Sequence, residues 1–127
     1  MVHFDRKSLK INIKNQSPRM EHPKKNHIES HLKELVGKRN PHNSIDKLHE
    51  SGKYIARHFS NLGLEIKEVP ISFEKTNSDN ILGIQIGSDL TSPYFVLGAH
   101  YDTVQGSPGA DDNASAVGSL LENSRCL

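Results

Sequence analysis

The 127-residue chain has no tryptophan, a single cysteine, and no apolar run near the roughly 20 residues that a membrane span requires. Lone Cys126 excludes an internal disulfide, so packing and hydrogen bonds must hold the fold, and a reducing compartment suits it. The opening Met1-Val2-His3-Phe4-Asp5-Arg6-Lys7 lacks the apolar stretch of a secretory signal, so a cytoplasmic location is the default expectation. Apolar residues make up 34% and aromatics 6% of the chain, which leaves room for one modest core. A strong excess of one charge is also missing, because the net charge is +1. That balance is uneven: residues 1–27 carry +5 and residues 28–127 carry −4. The basic arm contains one aromatic, Phe4, with no arginine cluster and no amphipathic period. It is therefore expected to be a disordered, solvated tail, and neither nucleic acid nor membrane is expected as a partner.

Beyond the tail, Ile28, Leu32, Leu35 and Val36 recur at helical spacing, and Gly37 is placed to stop that helix. Pro41 and two asparagines make residues 38–43 a loop, after which Ser44 is positioned to cap a longer helix. Ile45, Leu48, Ile55, Ala56, Phe59 and Leu62 form its apolar stripe, and Gly63 ends it. Leu64 and Ile66 alternate in one phase while Val69, Ile71 and Phe73 alternate in the other, which predicts a bulged edge strand at Pro70. Residues 76–80 read as a turn, and Leu82, Ile84 and Ile86 as the hairpin partner. Residues 94–99, Tyr-Phe-Val-Leu-Gly-Ala, are apolar without alternation and predict a central strand covered on both faces. A short helix is expected from Ala114 to Leu121.

The chemistry concentrates between Gly98 and Asn113. Ligands in open α/β sheets gather at the carboxyl ends of central strands, and His100 lies where the apolar run ends. Asp102, two residues on, falls on the same side of an extended backbone and can fix the imidazole through its second nitrogen. The loop from Thr103 to Ala110 holds two glycines and a proline and returns the chain to the same place. Asp112 then sits at a helix entry, where one carboxylate has the oxygens to hold two divalent ions. Asp111 and Asn113 flank it and serve to hold the turn. Taken singly, each feature has an ordinary alternative: a surface histidine, a common loop, an Asp-rich helix cap. Their conjunction in one strand-loop-helix unit favours a metal site. The other seven histidines, at positions 3, 22, 27, 31, 42, 49 and 58, read as tail, loop or helix-surface residues without ligand spacing.

Residues 98–103, Gly-Ala-His-Tyr-Asp-Thr, and residues 108–115, Pro-Gly-Ala-Asp-Asp-Asn-Ala-Ser, closely resemble family twenty-eight of the metallopeptidases. This is the co-catalytic zinc aminopeptidase family typified by bacterial leucyl aminopeptidase, which also holds glutamate carboxypeptidases and glutaminyl cyclases. The likeness extends upstream through the loop at residues 37–41, the long helix and the hairpin, and covers about residues 28–127. The resemblance implies an α/β fold, namely part of a three-layer α/β/α zinc exopeptidase domain with a mixed sheet, truncated after the helix that follows the bridging aspartate. It implies that His100 binds one of two zinc ions, that Asp102 orients His100, and that Asp112 bridges both ions. It further implies a cis peptide between Asp112 and Asn113, and a peptide substrate. Ala116 departs from the glycine usual in the family.

The larger departure is the set of groups that the family supplies later in its chain: an adjacent Glu-Glu pair holding the general base and a zinc ligand, then an Asp and a His. None follows Asp112 here, and Glu122 has no acidic neighbour. The expectation is an aminopeptidase-type zinc exopeptidase domain, present in part and without activity on its own. The alternative is a non-catalytic protein-binding module that keeps part of the fold.

Overall fold

A computed structural model describes residues 21–73, 76–89 and 91–127. Most of the predicted tail, residues 1–20, and His3 with it, lies outside the described residues. The elements are helix α1, Lys25–Leu35; helix α2, Ile45–Asn61; strands β1, Glu65–Phe73, and β2, Thr76–Ile84; a π-helical turn, Ala110–Ser115; and helix α3, Ala116–Cys126. Among the described residues no helix is long and apolar enough to cross a membrane.

Leu35, Ile55, Phe59, Ala114, Val117 and Leu121 form the buried core, in which α3 packs against α1 and α2. The predicted stripe of α2 supplies much of it. Its end is set by Gly63 at φ 79°: Leu64 N–H reaches back to Phe59 C=O at 3.1 Å, so the last carbonyls stay satisfied. Ser44 stands at the start of α2, but its hydroxyl bonds Asn43 Oδ1 instead of capping an amide. The side chain of Asn40 serves the preceding loop, accepting from His42 N–H and Asn43 N–H.

α1 begins at Lys25, three residues before the predicted boundary, and it is held at that end by α3. Glu122, fully buried, accepts from Lys24 N–H at 2.7 Å and from Arg125 Nη2 at 2.7 Å, and its Oε2 lies 3.1 Å from His27 Nδ1. A carboxylate at a helix start meets the free amides and positive dipole end there. The Arg125 bonds hold the Glu122 carboxyl down at about 2, against the cost of its burial. His31, expected on a helix surface, is instead buried, because the face it occupies packs toward α2 and α3. Its Nδ1 is 2.7 Å from the Tyr54 hydroxyl and its ring meets His58 edge-on at 4.7 Å. Burial first, then the nearby His58, lowers its pKa.

β1 and β2 pair antiparallel in an uninterrupted register, from Glu65 opposite Ile84 to Phe73 opposite Thr76. The predicted bulge at Pro70 is therefore absent, and the predicted turn at residues 76–80 is strand. The change of phase is absorbed differently: Ile66 and Ile81 share the face that packs on α2, while Val69, Ile71, Leu82 and Ile84 share the other. Gly83 is required on the α2 face, since a Cβ there would lie 2.7 Å from the Phe59 ring.

The predicted central strand is also corrected. Residues 94–99 form no strand, and Tyr94, Phe95, Val96 and Leu97 are largely exposed, Phe95 by 97%. A strand needs a hydrogen-bonded neighbour, and the one ladder among the described residues is β1 with β2. The molecule is thus a mixed α/β assembly of a helical corner and a two-stranded sheet. The three-layer arrangement is not formed by these residues.

Candidate functional site

The site begins where the backbone leaves residues 94–99 and docks on the helical corner. Tyr101 turns inward and anchors the segment: its hydroxyl donates to Asp79 C=O at 2.7 Å, and Gly52 of α2 leaves the space for its ring. Thr103 is buried two residues later, and its N–H donates to Arg39 C=O at 3.1 Å. With Tyr101 and Thr103 fixed inward, the alternate residues His100 and Asp102 face solvent, as the spacing predicts.

The return to the site depends on Gly109. Its φ of 60° lies in the left-handed region, and a Cβ would meet the Thr103 methyl and Arg39 Nη2. From there Ala114 N–H reaches five residues back to Gly109 C=O at 3.0 Å, which opens a π-helical turn in place of an ordinary helix start. Asp112 and Asn113 depart from helical dihedrals inside this turn, and the peptide joining them is cis, as the resemblance implied. Asp112 faces His100.

His100 is the centre of the resulting triad. Its Nδ1 lies 3.0 Å from Asp102 Oδ1 and its Nε2 lies 2.9 Å from Asp112 Oδ1. Asn113 Nδ2 donates to His100 C=O at 3.3 Å, so the turn grips the backbone of the histidine as well as its ring. All three side chains are more than half exposed. Asp111, also exposed, contributes through its backbone, its C=O accepting from Ser115 Oγ at 2.8 Å. The structure thus brings His100, Asp102 and Asp112 together on one surface, with Asn113 in the turn-holding place expected of it.

The donor chemistry suits zinc in part. A neutral imidazole nitrogen and a carboxylate oxygen are ordinary zinc donors, and a carboxylate on the other imidazole nitrogen is their usual support. The number falls short of a closed site: no group of three His, Cys, Asp or Glu that could hold a metal exists among the described residues. Glu122, the acidic residue that follows, cannot complete it. It is sealed between α1 and α3 as the partner of Arg125 and Lys24, away from the surface that His100 occupies.

One buried residue beside the site carried no recognisable signal in the sequence. Arg39 is fully buried in the loop before α2, and burial lowers its pKa while the charge of Asp102 opposes that shift. An arginine amid Gly, Lys, Asn and Pro reads as an exposed loop cation, and its contacts with the site come from residues more than sixty positions away.

Comparison with known proteins gives a consistent picture. Residues 80–127 match the profile of peptidase family M28. The chain is 34% identical over 92 residues to the uncharacterized protein YfbL of Escherichia coli (strain K12), covering 66% of this chain and 28% of that protein. It is 42% identical over 57 residues to aminopeptidase YwaD of Bacillus subtilis (strain 168), covering 44% of this chain and 12% of that protein. The chain therefore spans less than a third of the length of these relatives. No solved structure matches it.

Proposed function

From the match of residues 80–127 to peptidase family M28, we propose that this chain carries one half of the metal centre of a zinc-dependent aminopeptidase-type exopeptidase. His100 Nε2 and the Asp112 carboxylate would be the zinc donors that it supplies. Asp102, 3.0 Å from His100 Nδ1, would accept from that nitrogen and leave Nε2 as the more basic nitrogen, available to hold a metal. The observation that carries this reading is the single imidazole held by two carboxylates, at 3.0 Å and 2.9 Å. Zinc, when bound, polarises the scissile carbonyl of a peptide and acidifies water. The general base and the remaining donors are not among these residues, so the 127-residue polypeptide alone is expected to bind zinc weakly and to hydrolyse no peptide.

Titration of the purified chain with zinc, read by calorimetry, tests the reading. Weak binding that His100→Ala and Asp112→Ala each abolish supports it, and wild-type binding by both variants contradicts it. Turnover of aminoacyl anilides by the pure chain, lost on His100→Ala, would overturn the expected inactivity. A second reading, a protein-binding module, is favoured by the apolar exposure of Phe95, Val96 and Leu97. It predicts a partner whose affinity is indifferent to His100→Ala and is lost on Phe95→Ser.

A further inference from the structure

The buried guanidinium of Arg39 touches both halves of the site, and the function proposed above leaves it without a role. Nε donates to Tyr101 C=O at 2.8 Å, the carbonyl between His100 and Asp102. Nη2 donates at 3.1 Å to Gly109 C=O, the same carbonyl that receives Ala114 N–H and so opens the turn holding Asp112. Nη1 is spent on the floor of the loop, on Leu35 C=O, Gly37 C=O at 2.8 Å and Pro108 C=O at 3.4 Å. The backbone repeats the link, with Arg39 N–H donating to Thr103 Oγ1 at 3.0 Å and Gly37 N–H to Pro108 C=O at 2.8 Å.

We propose that Arg39 is a positioning residue for the His100–Asp112 pair, fixing through Tyr101 C=O and Gly109 C=O the separation of the imidazole from the carboxylate. The inference rests on the reading of that pair as a metal half-site. Two observations favour it over a role in folding alone. Among the described residues Arg39 makes no ion pair, so its burial is not the by-product of a buried salt bridge; the charge is compensated by five backbone carbonyls. Those carbonyls also lie on the segments that carry the site, and only a planar fork of five donors spans them. A lysine, with three donors at one point, reaches one end of the gap or the other. Gly109 is complementary: a Cβ there would stand 2.8 Å from Nη2, so the absence of a side chain lets the guanidinium reach the carbonyl.

The test compares Arg39→Lys and Arg39→Met with Phe59→Leu, a substitution in the core at the far end of α2, where the ring packs toward Gly83. Two quantities are read on the full chain: the imidazole nitrogen resonances of His100, which report its contacts with Asp102 and Asp112, and the affinity for zinc alone. The expected result is that both Arg39 variants keep the helical circular-dichroism signal, lose the wild-type His100 resonance positions and bind zinc at least about 10-fold more weakly. Phe59→Leu is expected to change neither quantity. Arg39 variants that fold with wild-type His100 resonances and wild-type zinc affinity would overturn the proposal. If Arg39→Met does not fold, Arg39→Lys, which keeps the charge and most of the volume, decides. If the wild-type chain binds no zinc, the metal reading of the site fails, and the His100 resonances still decide the role of Arg39.

Discussion

The segment from Tyr94 to Val104 is much richer in apolar residues than the helical corner, yet it is the corner that buries them. In the corner, Leu35, Leu121 and Val117 are essentially removed from water, and the buried Glu122 has every oxygen engaged. In the segment, Phe95, Val96, Leu97 and Val104 all stand more than 60% exposed. The difference lies in partners. The corner finds its complement within the chain, whereas the apolar run is written for neighbours that the described residues do not provide. His100 and Asp112 stand at the junction of the two regions, and their geometry comes from the finished side through Tyr101, Thr103, Gly109 and Arg39.

The contrast can be broken most forcefully in the corner. Leu121→Ala should cost about 3 kcal/mol by opening a cavity in the core, read as a lower denaturant midpoint at unchanged slope. A cost under 1 kcal/mol would mean that α3 is not packed as described. Glu122→Ala should cost roughly 3 kcal/mol, because it removes the partner of Lys24 N–H and His27 and leaves Arg125 only Glu21 and His22 C=O; a neutral outcome would mean that Glu122 does not tie α1 to α3.

The same carboxylate gives a pH dependence. Its folded pKa of about 2 lies below the ordinary carboxylate value of 4.5, so its contribution is fully present above 4.5 and is lost as pH falls from there toward 2. His31 adds in the same direction at higher pH: its pKa is lowered in the fold, so the unfolded chain binds the proton more readily and stability declines as pH falls below 6.5. Unfolding midpoints across this range should fall in two stages, with His31→Gln removing the upper one. A flat profile from pH 7 to 3 would contradict both assignments.

A smaller effect is expected at the junction, where Asp102→Asn should weaken zinc binding about 10- to 100-fold while leaving the unfolding midpoint in place. The smallest belongs to the exposed run. Phe95→Ser should change stability by no more than about 0.5 kcal/mol, since the ring is already in water. A large loss there would show that the run is packed after all.

Legibility in the sequence follows the same division. The helices were readable because their periodicity is satisfied locally: α2 runs from Ile45 to Asn61 and ends at Gly63 as its pattern demands. The site residues were readable because two short motifs carry them within fifteen positions. Harder were features decided by distant contacts. Nothing near His31 announces that α2 and α3 will cover it, and nothing near Arg39 foretells acceptors at residues 101, 108 and 109. The change of phase at Pro70 resembled a bulge because a pattern of apolar residues cannot by itself distinguish a kink from a flat ladder that is apolar on both faces. The run at residues 94–99 has the composition of a buried strand, yet burial depends on neighbours that composition does not contain.

The central claim is that His100, held between Asp102 and Asp112, is the metal-facing imidazole of this chain. Zinc titration of the 127-residue polypeptide, followed through the imidazole nitrogen resonances of its eight histidines, tests it most directly. The account predicts that the Nε2 resonance of His100 moves first and that the movement disappears in Asp112→Ala. A titration in which His100 stays still while the α1 and α2 histidines respond would contradict it.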